Sequence, residues 1–364
     1  TIFRDGINKI LTVIDKKNTR PILSNCLINA LDGRIELIAT NLEVTTKVIL
    51  RASVDNSGSF CINSKNLSDI LRELPNEEVE LEVNSDENIL KLNCKKINYS
   101  LLITETDDYP QVSFESNSES VKLKSKDIIN IINKTSHAIS TDETRVNLNG
   151  IFFQHLDEKL RAVAIDGHRL ALLDLYNFSS NNQVLKDGVI IPKKGIAELK
   201  KLAEAYSDTE FTLHLDESFL YACANEEYFL SVRLIAREYP KYQTVIPSKT
   251  SFSVILDRHS LIDAVKRIKL LSNEKTNGIK LAITESELII SANHPSLGHA
   301  KEIIPIAYSG KEMEIGFNAK YMIESLNTLD VNEIIYEFNN ELSPVIIRSN
   351  EEENFLGIIM PLKI

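Results

Sequence analysis

A short apolar run followed by an amphipathic helix occurs three times along this chain, and a repeat of that kind fixes an architecture more tightly than any single motif. The stretches are TIFRDGINKILTVIDK, SVKLKSKDIINIINKTSH and SFSVILDRHSLIDAVKRIKLL, with starts about 120–130 residues apart. A second helical signature follows an apolar strand at matching offsets: FCINSKNLSDILREL, VIIPKKGIAELKKLAEA and IGFNAKYMIESLNTL. Ile7, Ile10, Leu11 and Ile14 fall at i, i+3, i+4 and i+7, as do Leu67, Ile70, Leu71 and Leu74, so each of these helices has one apolar face. NALDGRIELIATN, QHLDEKLRAVAID and AITESELIISAN read as hairpins across polar turns.

The ends of the repeats correspond as well. Asp108-Tyr109-Pro110 closes the first, Glu238-Tyr239-Pro240 the second, and Met360-Pro361 stands at the comparable point of the third. The polar stretch Glu115–Ser120 and the segment Pro247–Thr250 read as linkers. The expectation is an α+β chain of three modules, residues 1–117, 118–247 and 248–364, each richer in strand than in helix. A length of 364 residues with 43% hydrophobic content supports more than one core. The start at Thr1 leaves the expectation that a few residues of a first strand precede it.

A net charge of -11 argues against a chain that binds nucleic acid simply by being basic. The charge is unevenly placed, however. Six helix windows (5–17, 64–74, 125–137, 193–205, 257–269 and 318–329) hold 16 Lys/Arg against 10 Asp/Glu, which leaves -17 on everything else. If the helices share a side, the protein has one cationic and one acidic surface, and a phosphate backbone is the partner for the first. No arm, zinc finger or helix-turn-helix pattern reads base edges, so DNA contact is expected to be independent of sequence and sensitive to salt.

Cys26, Cys61, Cys94 and Cys223 are scattered, with no C-x-x-C pair or matching histidine, and fit core thiols in a reducing cytoplasm rather than a metal or disulfide site. The opening residues lack a signal-peptide pattern, and no apolar run approaches the roughly 18 residues a membrane span needs; the expectation is a soluble, cytoplasmic protein. Nucleotide-binding, metalloprotease and serine-hydrolase signatures are missing. Asp166-Gly167-His168-Arg169 could be drawn as acid/base machinery, but AVAIDGHRLALLDL reads as two strands around a tight turn with no nucleophile at a matching spacing. A non-catalytic role without cofactor or metal is expected.

Four collinear segments, AIDGHRLA, EYPKY, MEIGFN and the terminal IIMPLKI, resemble the bacterial replicative sliding clamp family, the beta subunit of DNA polymerase III, over essentially the whole chain. The resemblance implies modules of two helices packed on two antiparallel sheets, and two protomers closing head to tail into a six-module ring with helices lining the hole. It implies a processivity factor that encircles duplex DNA near replication forks and tethers the replicative polymerase alpha subunit, the clamp loader, translesion and repair polymerases and mismatch-repair proteins.

Residue by residue, the resemblance maps a peptide groove onto Leu148, Ile165, Gly167, His168, Arg169, Leu170, Pro240, Thr244, Val245, Ile358 and Met360, with a second subsite at Asn318, Tyr321, Pro344, Pro361 and Leu362. Thr244 stands where the family often carries a basic side chain, and Ile165 where threonine is frequent, so acidic ligand residues should matter less here. For the ring seam it points to Tyr99, Leu101 and Ile103 meeting Leu270 and Leu271 of a second copy. DNA-facing candidates are Lys17, Arg20, Arg145 and Asn147, together with the helix cations Lys193, Lys194, Lys200, Lys201, Lys266 and Arg267. Two competing readings remain. A nucleic-acid-processing enzyme would need a clustered acidic metal site, which the dispersed carboxylates do not offer; a β-rich interaction protein without a DNA role would make the helix charge accidental.

Overall fold

The computed structural model describes residues 2–14, 20–114, 116 and 118–363. The first copy comprises α1 (Ile2–Leu11), β1 (Asn25–Leu31), β2 (Arg34–Thr40), β3 (Val44–Arg51), β4 (Gly58–Asn63), α2 (Ser64–Glu73), β5 (Glu80–Asn84), β6 (Ile89–Cys94) and β7 (Ile97–Leu102). The second runs through β8 (Ser120–Lys124), α3 (Ser125–Thr135), β9 (Gly150–Leu156), β10 (Lys159–Ile165), β11 (Arg169–Tyr176), a short α4 (Gln183–Asp187), β12 (Val189–Pro192), α5 (Lys193–Ala205), β13 (Glu210–Leu215), β14 (Phe219–Ala224) and β15 (Tyr228–Arg233). The third holds β16 (Phe252–Asp257), α6 (Arg258–Lys269), β17 (Gly278–Ile283), β18 (Glu287–His294), β19 (Gly298–Pro305), β20 (Met313–Asn318), α7 (Ala319–Leu326), β21 (Glu333–Phe338), β22 (Val345–Arg348) and β23 (Phe355–Ile359).

Strands pass directly into helices where an Asn or Asp caps the junction. Asn63 Oδ1 accepts from Asn66 N at 3.0 Å, Asp257 Oδ1 from Ser260 N at 2.7 Å, and Asn318 Oδ1 from Lys320 N and Tyr321 N. Each cap satisfies an otherwise unpaired helix donor and contributes about 1 kcal/mol. The helices then bury one stripe: Ile7 and Ile10 in α1, Leu67 and Leu71 in α2, Ile196, Leu199 and Leu202 in α5, Leu261, Val265 and Ile268 in α6, and Met322 and Leu326 in α7. On α5, Gly195 lies directly against the Val232 side chain, leaving no room for a Cβ.

Two expectations need correction. The first copy has no described strand ahead of its helix, which begins at Ile2. That helix also ends at Leu11, short of Ile14; the β-branched Thr12, Val13 and Ile14 leave the helical path, and Val13, at 3% exposed, takes the buried position. Asp15–Thr19, including Lys17, lie outside the described residues.

The chain folds as two compact units, one made of the residues up to Ile128 with Lys194–Leu234, the other of Ile129–Lys193 with Ile235 onward. The first contains an eight-stranded sheet, β4-β1-β2-β3-β15-β14-β13-β8, and a three-stranded sheet, β5-β6-β7. The second contains an eight-stranded sheet, β12-β9-β10-β11-β23-β22-β21-β16, and a four-stranded sheet, β19-β18-β17-β20. Every pair is antiparallel. Each eight-stranded sheet thus joins strands of two successive copies, through β3 against β15 (Thr46 opposite Leu230) and β11 against β23 (Leu172 opposite Leu356).

Candidate binding groove, edge strands and cationic helices

In the second unit the hairpin between β10 and β11 is a built turn. Asp166 Oδ1 accepts from His168 N at 2.8 Å and Arg169 N at 3.0 Å, and Gly167 sits at φ +91, where a Cβ would meet Arg145 Nη1 at 2.8 Å. Asp166 Oδ2 takes Arg169 Nε at 3.0 Å, and Arg169 Nη1 donates to Glu324 Oε2 at 2.6 Å. The guanidinium also lies 4.4 Å from the centre of the Tyr321 ring, and the exposed His168 ring stacks on the same tyrosine at 5.7 Å. Both Asp166 oxygens are therefore engaged by the turn and by Arg169, an arrangement that positions backbone rather than moving protons.

Beneath the turn lies an apolar cluster. Leu148, Phe152, Val163, Leu170, Leu172, Tyr239, Tyr242 and Ile358 are buried, with Ile165, Val245 and Met360 partly buried against them. Tyr239 Oη donates to Val163 O at 3.2 Å and its ring stacks on Phe152 at 4.7 Å, which pins the strap that carries Pro240, Thr244 and Val245. Met360 N donates to His168 O and Leu362 N to Gly316 O, both at 2.8 Å, so the last segment is tied to β20 and to the turn. Of the sequence-predicted groove residues, Leu148, Arg169, Leu170 and Ile358 form floor and frame, while Gly167, His168, Pro240 and Thr244 are exposed and Ile165, Val245, Asn318, Tyr321, Pro344, Met360, Pro361 and Leu362 are half-buried. Thr244 Oγ1 donates to Lys241 O at 2.8 Å, and Asn318 spends its side-chain oxygen on the α7 cap.

The sheet edges tell a second story. β3 and β11 are counterparts, each the strand that follows the second strand of its copy's hairpin (β1–β2 and β9–β10), and both are covered by the last strand of the next copy. Their counterpart β19 ends the four-stranded sheet without a partner, as β7 ends the three-stranded one. Tyr99, Leu101, Ile103 and Leu271 are half-buried; Leu102 and Leu270 are 81% and 78% exposed. Such open, apolar-bearing edges invite pairing.

The cations are more heavily paired than their sequence suggests. Lys201 meets Glu198 at 2.7 Å, Lys200 meets Glu204 at 3.6 Å, Lys266 meets Asp263 at 3.6 Å and Lys194 meets Glu43 at 3.9 Å. Arg145 pairs with Asp142 at 3.3 Å and donates to Asp166 O beside the 166–169 turn, while Asn147 donates to Glu238 O. Arg20 and Lys193 are exposed. Arg267 holds Glu302 of β19 through two nitrogens, which places it with the edge strand rather than with the lysines. Sequence reading missed β19, Glu324 and the Phe152–Tyr239 stack; the repeat itself could have located β19 as the third counterpart of β3 and β11.

Comparison with known proteins is uniform. Residues 2–113 match the family model for the DNA polymerase III beta subunit, N-terminal domain, residues 122–241 the central domain and residues 243–363 the C-terminal domain. The beta sliding clamp of Caulobacter vibrioides is 30% identical over 99% of this chain and 97% of its own length. The DNA polymerase III subunit beta of Pseudomonas aeruginosa superposes with a TM-score of 0.93 at 26% identity, covering 100% of this chain and 98% of that one. The sliding clamp of Bartonella birtlesii bound to griselimycin gives 0.94 at 29%, over 100% and 97%.

Proposed function

The chain belongs to the bacterial DNA sliding clamp family, the beta subunit of DNA polymerase III, and from that premise we propose that it is a non-catalytic processivity factor whose ring of two copies slides on duplex DNA. The observation that carries the reading is the pair of unmatched edges. Within the chain β3 and its counterpart β11 each pair with the last strand of the next copy, and the third such pair, β19 with β7, needs a second molecule. Head-to-tail use of both edges by two copies closes a ring and pairs β19 and β7 at each seam.

Helices bearing Lys193, Lys194, Lys200, Lys201 and Lys266, with Lys17, Arg20, Arg145 and Asn147, would face the phosphates. The solvent-facing ion pairs of Lys194, Lys200 and Lys266 are each worth under about 1 kcal/mol, so such a lysine head exchanges readily between its carboxylate and a passing phosphate. That weak, unspecific grip suits sliding, because a ring that held base edges would stall. Arg267 belongs to the seam in this reading. The groove in the second unit would take short peptides of the replicative polymerase alpha subunit, the clamp loader, translesion and repair polymerases and mismatch-repair proteins, with apolar side chains over Leu148, Leu170 and Ile358.

Loading the protein onto nicked circular DNA and then linearising the circle tests this. Retention on the circle and loss on linearisation is expected, with a dimer by light scattering at micromolar concentration. Equal retention on both DNAs, or a monomer throughout, would overturn the ring.

A further inference from the structure

The first unit repeats the framework of the groove but not its filling. Tyr109 Oη donates to Ile38 O at 3.1 Å, as Tyr239 does to Val163 O, and Pro110 follows Tyr109 as Pro240 follows Tyr239. Leu27 faces Ile38 across β1 and β2 where Phe152 faces Val163 across β9 and β10. Counting from these anchors, Leu27, Lys47 and Val112 occupy the places of Phe152, Leu172 and Tyr242. In the second unit Phe152 and Tyr242 fill the space with two rings and are buried. With aliphatic residues in their stead, the first unit keeps a hollow of about 460 Å³ lined by Leu27, Ile38, Lys47, Tyr109, Val112 and Phe114.

The rim adds a charge. Lys47 Nζ lies 5.0 Å from the centre of the Phe114 ring and 4.5 Å from that of Phe229, and it pairs with no carboxylate among the described residues. Glu36, the acidic side chain of the hollow, is taken by Arg34 at 3.4 Å. We infer that this hollow is a second docking site, for an extended peptide of a partner protein that inserts an aromatic side chain where the second unit uses its own and sets a neighbouring carboxylate on Lys47. The ring replaces the missing Phe152 and Tyr242 bulk against Leu27, Ile38 and Val112, and the carboxylate supplies an anion where the described residues give Lys47 none.

The probe is the tetrapeptide acetyl-Gly-Phe-Asp-Gly-amide, titrated into the full-length protein with methyl-labelled Leu, Ile and Val. Saturable shifts are expected at Leu27, Ile38 and Val112, none with the peptide carrying Ala for Phe. Val112→Tyr, which fills the hollow from within, should weaken the titration about tenfold, and Lys47→Gln, which leaves the walls intact, should weaken it several-fold with loss of its salt dependence. Shifts confined to Leu148, Leu170 and Ile358, or a titration that Val112→Tyr and Lys47→Gln both leave unchanged, would overturn the site.

Discussion

Arg169 and Glu324 form a charge-assisted hydrogen bond of 2.6 Å between β11, from the second copy, and α7, from the third. The arginine side chain is only 7% exposed, the glutamate 35%, and Asp166 completes the pair from the other side. Two repeats that diverged in sequence are thus tied at the point where the candidate groove is built. The tie also orients Tyr321, whose ring packs under the guanidinium.

Removing the arginine should cost far more than neutralising the glutamate. Arg169→Ala removes the cation from Asp166, which is 10% exposed, and leaves its Oδ2 without the Arg169 Nε donor while the backbone bonds to Oδ1 remain, and a loss of about 3 kcal/mol follows. Glu324→Gln keeps a hydrogen-bond acceptor on a partly solvated side chain and should cost about 1 kcal/mol. Urea unfolding of both variants separates the two; equal losses would mean that the pair is not buried as described.

His137 should make the protein acid-sensitive well above the carboxylate range. Burial and then the Arg169 charge push its pKa down from 6.5 to about 3, against a smaller upward pull from a backbone hydrogen bond with Lys134. The folded state keeps the ring neutral while the unfolded chain takes up a proton below 6.5, so stability is full above that value and falls as pH drops towards 3. Between pH 7.5 and 5 one such group removes about 2 kcal/mol. The fall in unfolding free energy across that interval should be smaller by that amount in His137→Gln; identical slopes in the two proteins would rule out the assignment.

Much of this was legible because repeats and caps are local. The hairpins announced by Asp32-Gly33 and by Glu285-Ser286 form as β1–β2 and β17–β18, and the helices after Asn63, Asp257 and Asn318 start where short polar side chains can cap them. What the sequence hides is pairing at a distance. Nothing local says that Arg267 reaches Glu302, 35 residues on, or that Lys194 meets Glu43, whereas the Lys201–Glu198 pair is three residues apart on one helix and could have been read from spacing. That Arg169 is held by Glu324, 155 residues away, is likewise invisible in the local sequence.

A basic side chain at position 244 should restore a preference for acidic peptides. Thr244 is exposed and its hydroxyl is spent on Lys241 O, so Thr244→Arg adds a charge at the groove without disturbing the cluster beneath. Binding of a peptide with one acidic residue should tighten a few-fold at low salt, on the order of 0.5–1 kcal/mol, with no change for its amide counterpart. Fluorescence anisotropy with the two labelled peptides reads this directly, and indifference to the substitution would sink the idea that Thr244 sets charge tolerance.

In the proposed ring, the repeat also predicts a register for the seam. Thr104 N bonds Cys61 O where Ile235 N bonds Ile190 O, which sets Tyr99 on Leu230 and Leu101 on Val232. Glu287 faces Pro305 as Lys159 faces Tyr176 and Arg34 faces Arg51, which sets Ala300 on Ala171 and on Thr46. Since Leu230 lies opposite Thr46, Tyr99 of one copy should lie opposite Ala300 of the other and Leu101 opposite Gly298, large side chains over small ones. Directly opposed Cα atoms about 4.5–5.5 Å apart suit a disulfide. The Tyr99→Cys, Ala300→Cys double variant should therefore cross-link into a covalent dimer under mild oxidation, against single-variant controls for the native thiols. A shift by one residue turns the side chain to the other face, so Leu102→Cys with Ala300→Cys should cross-link poorly; a reversed preference would place the register elsewhere.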